Sequence, residues 1–112
     1  MCTLFIHRSK NSDWPILIAN NRDEYLARTF KSPGYHWNNN IFAGKDISKG
    51  GSWLGLNEDG VCAAILNRAS NNLKNKNLKS RGKIIIDILK KTSAKSGLKY
   101  VKSYFKKKHS IF

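Results

Sequence analysis

Acidic residues are scarce in this chain: seven Asp and Glu stand against 21 Lys and Arg, a formal net charge of +14 over 112 residues. Cysteine is scarcer still. Cys2 and Cys62 are the only two, which excludes a disulfide framework as the means of stabilising so small a chain. Both are read as free thiols, and a small chain without disulfides fits a reducing cytosol, so a cytoplasmic location is expected. Long apolar runs are missing as well. No run is longer than Trp14 to Ala19, which holds six residues, whereas a membrane-spanning helix needs roughly 18 or more. No basic-then-apolar leader opens the chain, so the expectation is an unexported protein with no transmembrane segment. What is present, 40% hydrophobic residues with three Trp, four Tyr and five Phe, is enough for the core of one domain.

The positive charge is unevenly placed. Residues 1–67 carry seven basic and six acidic side chains, a net of +1, whereas residues 68–112 carry fourteen basic groups against Asp87 alone, a net of +13. A cluster such as Lys106, Lys107 and Lys108 is chemically able to neutralise phosphates or to lie on an anionic membrane. Yet 16 Lys against five Arg, with twelve Asn and eleven Ile, is also the bias of an AT-rich coding sequence. Arginine is scarce where bidentate phosphate or base recognition favours it, and no nucleic-acid module has its spacing here. The charge is read as solvated surface, with no sequence-specific nucleic-acid partner.

Along the chain, Cys2 to Arg8 and Trp14 to Asn20 are apolar runs separated by the turn formers Ser9 to Asp13, the pattern of an antiparallel hairpin. Asn21 to Asn40 is polar, contains Pro33-Gly34, and reads as a connecting loop. Three more strands are predicted over Ile41 to Lys45, Ser52 to Asn57 and Val61 to Asn67, joined at Lys49-Gly50-Gly51 and Glu58-Asp59-Gly60. Residues 68–79 form a polar connector. Ser80 then caps a predicted helix bearing Ile84, Ile85, Ile88 and Leu89. A second helix over roughly Ala94 to Lys107 aligns Leu98, Val101 and Phe105. The chain divides into a β-rich 1–67, a connector 68–79 and a basic helical 80–108, all in one domain. Strands followed by helices predict an α+β architecture with helices laid on a sheet.

Three features bear on chemistry. Met1-Cys2 permits removal of the initiator methionine, leaving a cysteine with both a thiol and a free α-amine. The amine has a pKa of ~7.7 to 8.0 and the thiol ~8.5, so the pair can exchange a proton near neutrality, as N-terminal nucleophiles do. Arg22 and Asp23 directly follow the second strand, where an arginine can favour a thiolate and an aspartate can orient an amine; the plain alternative is a surface ion pair. Gly44-Lys45-Asp46 and Gly50-Gly51-Ser52-Trp53-Leu54-Gly55 lack a P-loop or dinucleotide fingerprint and read as turns around a core tryptophan.

Taken together, Met1-Cys2-Thr3-Leu4, Ala19-Asn20-Asn21-Arg22-Asp23-Glu24, Trp37, Ala43 to Asp46, Gly50 to Gly55 and Ser80-Arg81-Gly82 stand in the order and at the spacing of the NRDE family. It is also called the transport and Golgi organisation protein two family, and the resemblance covers most of residues 1–90. It implies an N-terminal-nucleophile-hydrolase-like sandwich, two antiparallel sheets between helical layers, here shortened to about its first half. It further implies Cys2 as nucleophile, Arg22 and Asp23 as support for the thiol and amine, and Asn67 as the oxyanion donor, in cleavage of an amide, ester or thioester. Lys45 stands where the family usually has arginine, and Asn67 and Arg68 are adjacent where one residue usually intervenes.

The competing expectation is a non-catalytic haem- or lipid-handling protein, or a non-functional fragment. His7, His36 and Cys62 are its candidate haem ligands, although the chain has no Cys-x-x-Cys-His attachment sequence. No metal site and no resident cofactor are expected, because nothing has ligand-pair spacing. The expected partner is a small acyl-type substrate or an apolar ligand. A shortened sandwich leaves apolar faces and strand edges uncovered, which predicts self-association or a complementing chain.

Overall fold

The computed structural model of the chain describes residues 2–37, 40–67 and 80–106. Six strands precede two helices: β1 (Thr3–Arg8), β2 (Ile16–Asn21), β3 (Phe30–Gly34), β4 (Ile41–Asp46), β5 (Leu54–Asn57), β6 (Cys62–Ala64), α1 (Gly82–Leu89) and α2 (Ala94–Lys106). The architecture is α+β, with two antiparallel sheets, β1-β2 and β3-β4-β5-β6. The predicted connector 68–79 and the last predicted helical residue, Lys107, lie outside the described residues.

Where apolar and turn residues alternate plainly, the elements follow the sequence pattern. β1 and β2 pair along their whole length, from Thr3 opposite Asn21 to Arg8 opposite Ile16, and the Ser9 N–H donates to the Pro15 carbonyl at 2.9 Å to close the turn. The β5–β6 connection turns at Gly60, whose φ of +79° is the left-handed conformation that glycine adopts without strain.

Two expectations are corrected. The stretch from Asn21 to Asn40 is not only a loop, because it contains β3. Pro33-Gly34 marks a turn in most sequences, but β3 is an edge strand, where a proline removes no ladder bond, and its pairing with β4 shifts register between Lys31 and Gly34. Ser80 does not cap α1 either. Arg81 occupies the N-cap position without a side-chain cap bond, and the helix start is instead laid on the Gly51-Ser52 backbone, where the Ser52 N–H donates to the Gly82 carbonyl at 3.1 Å.

The core lies between α1 and one face of the four-stranded sheet. Ala43, Gly55 and Ala63 face one another across β4, β5 and β6, and this row of small residues lets Ile85, Ile86 and Leu89 come down onto Ile41, Ala43, Val61 and Ala63. A Cβ on Gly55 would stand 2.5 Å from the Ala43 Cβ and 2.7 Å from Leu89 Cδ1. Close packing of this kind makes each fully buried side chain, such as Ile85, worth about 1.5–3 kcal/mol. The buried Asn57 ties the layers together. Its Nδ2 donates to the Leu89 and Lys91 carbonyls, each at 2.8 Å, satisfying the end of α1, while its Oδ1 accepts the Val61 N–H at 2.8 Å.

α2 begins at Ser93, whose hydroxyl oxygen accepts the Ser96 N–H at 3.1 Å. It packs on α1 through Gly97, where a Cβ would meet Ile88 Cγ2 at 2.9 Å, and through the Tyr100 hydroxyl, which donates to Asp87 at 2.8 Å. Among the described residues no layer packs over the β1–β2 hairpin, and Phe5 and Ile6, on opposite faces, are 66% and 64% exposed.

Candidate active site

The hairpin register decides what stands next to Cys2. With Thr3 opposite Asn21, the residue before β1 meets the residues just after β2, and the Asn20 amide fixes the end of the ladder by donating to the Thr3 carbonyl at 2.9 Å. Cys2 Sγ consequently lies against the Asp23 backbone. The Asp23 N–H donates to the sulfur at 3.4 Å, and the thiol is 3.6 Å from the Asp23 carbonyl oxygen as its acceptor. Cys2 is half-buried and free. The Asp23 carboxyl is held below its ordinary value, first by hydrogen bonding and then by positive charge.

Arg22 points the other way, into the junction of the two sheets. Its side chain is 14% exposed, and its Nη2 lies 3.7 Å from Glu24 and 3.6 Å from Asp46. The guanidinium carbon sits 4.4 Å from the Trp53 ring centroid and 5.7 Å from that of Phe30, and the two rings meet edge to face. Trp53 in turn rests directly on Gly44, where a Cβ would overlap the indole. This stack gives physical reasons for a glycine at 44, a tryptophan at 53 and an arginine at 22.

Arg28 and Asp46 complete the junction. The Arg28 Nε and Nη2 donate to Asp46 Oδ2 at 2.9 and 2.6 Å, and Arg28 Nη1 lies 3.3 Å from Glu24. The Lys49 N–H donates to Asp46 Oδ1 at 3.1 Å. Burial by itself would push the Asp46 carboxyl up, but the bonds from Arg28 and Lys49 and the charges of Arg28 and Arg22 together outweigh it and leave the group below its ordinary value. Arg28 is correspondingly raised, mainly by its bond to Asp46.

Neither Arg28 nor the pairing role of Asp46 emerges from the sequence reading. The available signal was the near-balance of charge in residues 1–67, together with Glu24 and Arg28 spaced four apart. Asn67 is held at the start of α1: its Oδ1 accepts from Arg81 Nη2 at 2.7 Å. The structure thus brings Cys2 and Asp23 together, directs Arg22 to the sheet junction, and joins Asn67 to the start of α1.

Of the candidate haem ligands, His36 Nε2 lies 2.7 Å from the Ser32 carbonyl, and burial pushes the Cys62 thiol up. Among the described residues no group of three or more His, Cys, Asp or Glu gathers to hold a metal ion. Nor is any described helix long and apolar enough to cross a membrane.

Comparison with known proteins places these motifs. The sequence profile of "Transport and Golgi organisation 2" matches residues 1–111. An uncharacterised protein of Saccharomyces cerevisiae is 33% identical over 96 residues, which cover 80% of this chain and 30% of that protein. The bovine Transport and Golgi organization protein 2 homolog is 33% identical over 112 residues and the human homolog 32% over 111, each match covering 91% of this chain and 39% of the homolog. The chain therefore spans between a third and two fifths of these animal relatives. No solved structure matches significantly. With the profile matched from Met1 onward and the motif residues meeting at the sheet junction and at the start of α1, this chain belongs to the Transport and Golgi organisation 2 family.

Proposed function

We propose that the chain carries an N-terminal-nucleophile site in which Cys2, once Met1 is removed, takes an acyl group from an amide, ester or thioester. The observation that carries this reading is the seat of Cys2 Sγ on the Asp23 backbone, with the N–H donating to sulfur. The seat holds the sulfur in place, and the freed α-amine accepts the thiol proton. Sulfur bonds to the acyl carbon, the carbon–heteroatom bond breaks, and the leaving group departs with the proton held by the α-ammonium. Water then adds to the thioester while the amine takes its proton, releasing a carboxylic acid and free Cys2. In this reading Asp23 orients the ammonium, Arg22 supports the loop that seats the thiol, and Asn67, whose Oδ1 is engaged by Arg81, offers its Nδ2 to the oxyanion. A reducing compartment such as the cytosol keeps both thiols available.

Intact-mass analysis after incubation with a p-nitrophenyl ester tests the proposal. The expected product is a chain lacking Met1 with one acyl adduct on Cys2, and Cys2→Ala is expected to slow adduct formation at least about 100-fold, the scale of an activated nucleophile. Cys62, the second free thiol and an exposed one, serves as the internal control. A Cys2→Ala chain acylated as fast as the parent would remove Cys2 from the role.

The hairpin supports a reading of the partners. Its paired residues place Leu4, Ile6, Ile16 and Ile18 on one face and Phe5, Leu17 and Ala19 on the other, so both faces are apolar, the pattern of a sheet covered on both sides. Leu17 is 51% exposed. Contact between copies buries such a surface and pairs its open edges. In sedimentation velocity the average mass should rise above the 12.7 kDa of one chain as concentration increases, and Ile6→Lys with Ile18→Lys should abolish the rise. One monomeric species at every concentration argues against self-association.

A further inference from the structure

The outer face of α2 carries a lysine stripe. Lys95, Lys99, Lys102 and Lys106 recur at i, i+4, i+7 and i+11 and are all exposed, so they form one row about 17 Å long at 1.5 Å rise per residue. The row lies opposite the side that meets α1, where Gly97 is buried and Tyr100 and Val101 are half-buried. The local acid does not neutralise it. The last acidic residue of the chain, Asp87, accepts the Tyr100 hydroxyl, and among the described residues no carboxylate is in ion-pair contact with any of the four lysines. Along the edge of the row stands Leu98, 55% exposed, on the same helix edge as the half-buried Phe105.

The geometry points to α2 as a surface that docks on an anionic lipid bilayer, its lysines at the headgroups and Leu98 dipping below them. Lysine stems lie along apolar surface while their ammonium groups reach for phosphate and carboxylate oxygens, and a basic row beside an apolar edge is the arrangement of helices that lie in the interface plane. Each lysine near an anionic leaflet adds an attraction corresponding to about five-fold in affinity. A nucleic acid fits less well: α2 contains no arginine for bidentate phosphate contact, and an exposed leucine has nothing to meet along a sugar–phosphate backbone.

Flotation of the 112-residue protein with vesicles tests this. Vesicles of phosphatidylcholine and phosphatidylserine should carry the protein upward at low salt, and binding should fall steeply by about 0.5 M salt, where the Debye length is roughly 4 Å. Phosphatidylcholine alone should not carry it. Substituting Lys95, Lys99 and Lys102 together by Gln should weaken binding about 100-fold, and Leu98→Asn about five-fold by removing apolar insertion. These side chains are exposed, so each variant is expected to melt within a few degrees of the parent, as ordinary surface changes do. Equal flotation with neutral vesicles overturns the proposal and assigns lipid contact to the apolar hairpin. Unchanged binding by the triple variant overturns it too. A DNA duplex bound more tightly than the mixed vesicles, with Leu98→Asn indistinguishable from the parent, overturns it in favour of nucleic acid.

Discussion

Asp46→Asn is expected to destabilise the protein by about 3 kcal/mol, because removing one partner of a buried ion pair leaves uncompensated charge. The Asp46 side chain is 10% exposed and serves two arginines; without it Glu24 is, among the described residues, the carboxylate left facing both Arg22 and Arg28. The same residue braces the turn into Gly51: its Oδ1 accepts the Lys49 N–H, and its backbone carbonyl, which Asp46→Asn leaves in place, accepts the Gly50 N–H at 2.7 Å. Asparagine keeps the shape and loses the charge, so the loss is electrostatic. Urea denaturation at neutral pH measures it.

The pH dependence has a definite sign. The Asp46 pKa is lower in the folded chain than the ordinary 3.8, so its stabilisation is fully present above about pH 4. That stabilisation fades as pH falls through the folded value, where the group binds a proton. The gap in stability between parent and Asp46→Asn should therefore be wide at neutral pH and close progressively below about pH 4. A gap that stays constant down to the acid transition would show that charge is not what Asp46 contributes.

Gly51→Ala should cost at least as much, about 3 kcal/mol or more, through steric overlap with backbone. A Cβ at Gly51 would lie 2.8 Å from the Gly82 carbonyl oxygen and 2.7 Å from its Cα, with the carbonyl carbon nearer still. No rotamer relieves a clash with main chain, so α1 must lift from the sheet and give up part of the packing of Ile85, Ile86 and Leu89. Gly50→Ala is the matched control. Gly50 has φ of +70° and open space around it, so alanine there meets only left-handed strain of about 1–2 kcal/mol. Chemical denaturation of the two variants should give clearly unequal losses. Equal losses would mean that the Gly51–Gly82 contact does not hold α1 in place.

The two glycines also show where sequence reading stops. Gly50-Gly51 reads as a turn from composition alone, and a turn is what forms. That Gly51 is needed for a helix some thirty positions away is a fact about two backbones meeting, with no local signature. Ser80 illustrates the same limit, since a capping residue is recognisable by type, yet the start of α1 takes its register from its contact with Gly51 and Ser52. β3 has no clear sequence signature because Pro33-Gly34 outweighs its short apolar content, and its place at the sheet edge makes a proline tolerable there.

The candidate site divides along similar lines. The nearness of Cys2 to Asp23 was implicit in the predicted hairpin, because pairing two short runs across one turn fixes which residues meet at its open end. The partner of Arg22 was not implicit. Nothing local signals that this arginine stacks on Trp53 and faces Asp46, which depends on how β4 and the β4–β5 connection come beside the hairpin. Asn67 reads as an oxyanion donor by resemblance, and the bond its amide oxygen accepts from Arg81 in the fold has no local signature.

By itself, then, the sequence determined the succession of strands and helices, the hairpin that opens the chain, the concentration of positive charge after residue 67, and the family to which the motifs belong. These follow from period, turn chemistry and composition, which act over a few residues at a time. The tertiary structure alone decided that Gly44, Gly51 and Gly55 are points of close approach, that Arg22 and Arg28 share Asp46, and that four lysines align on the free side of α2. These depend on distances between segments far apart in the chain, set by packing and burial that no local window contains.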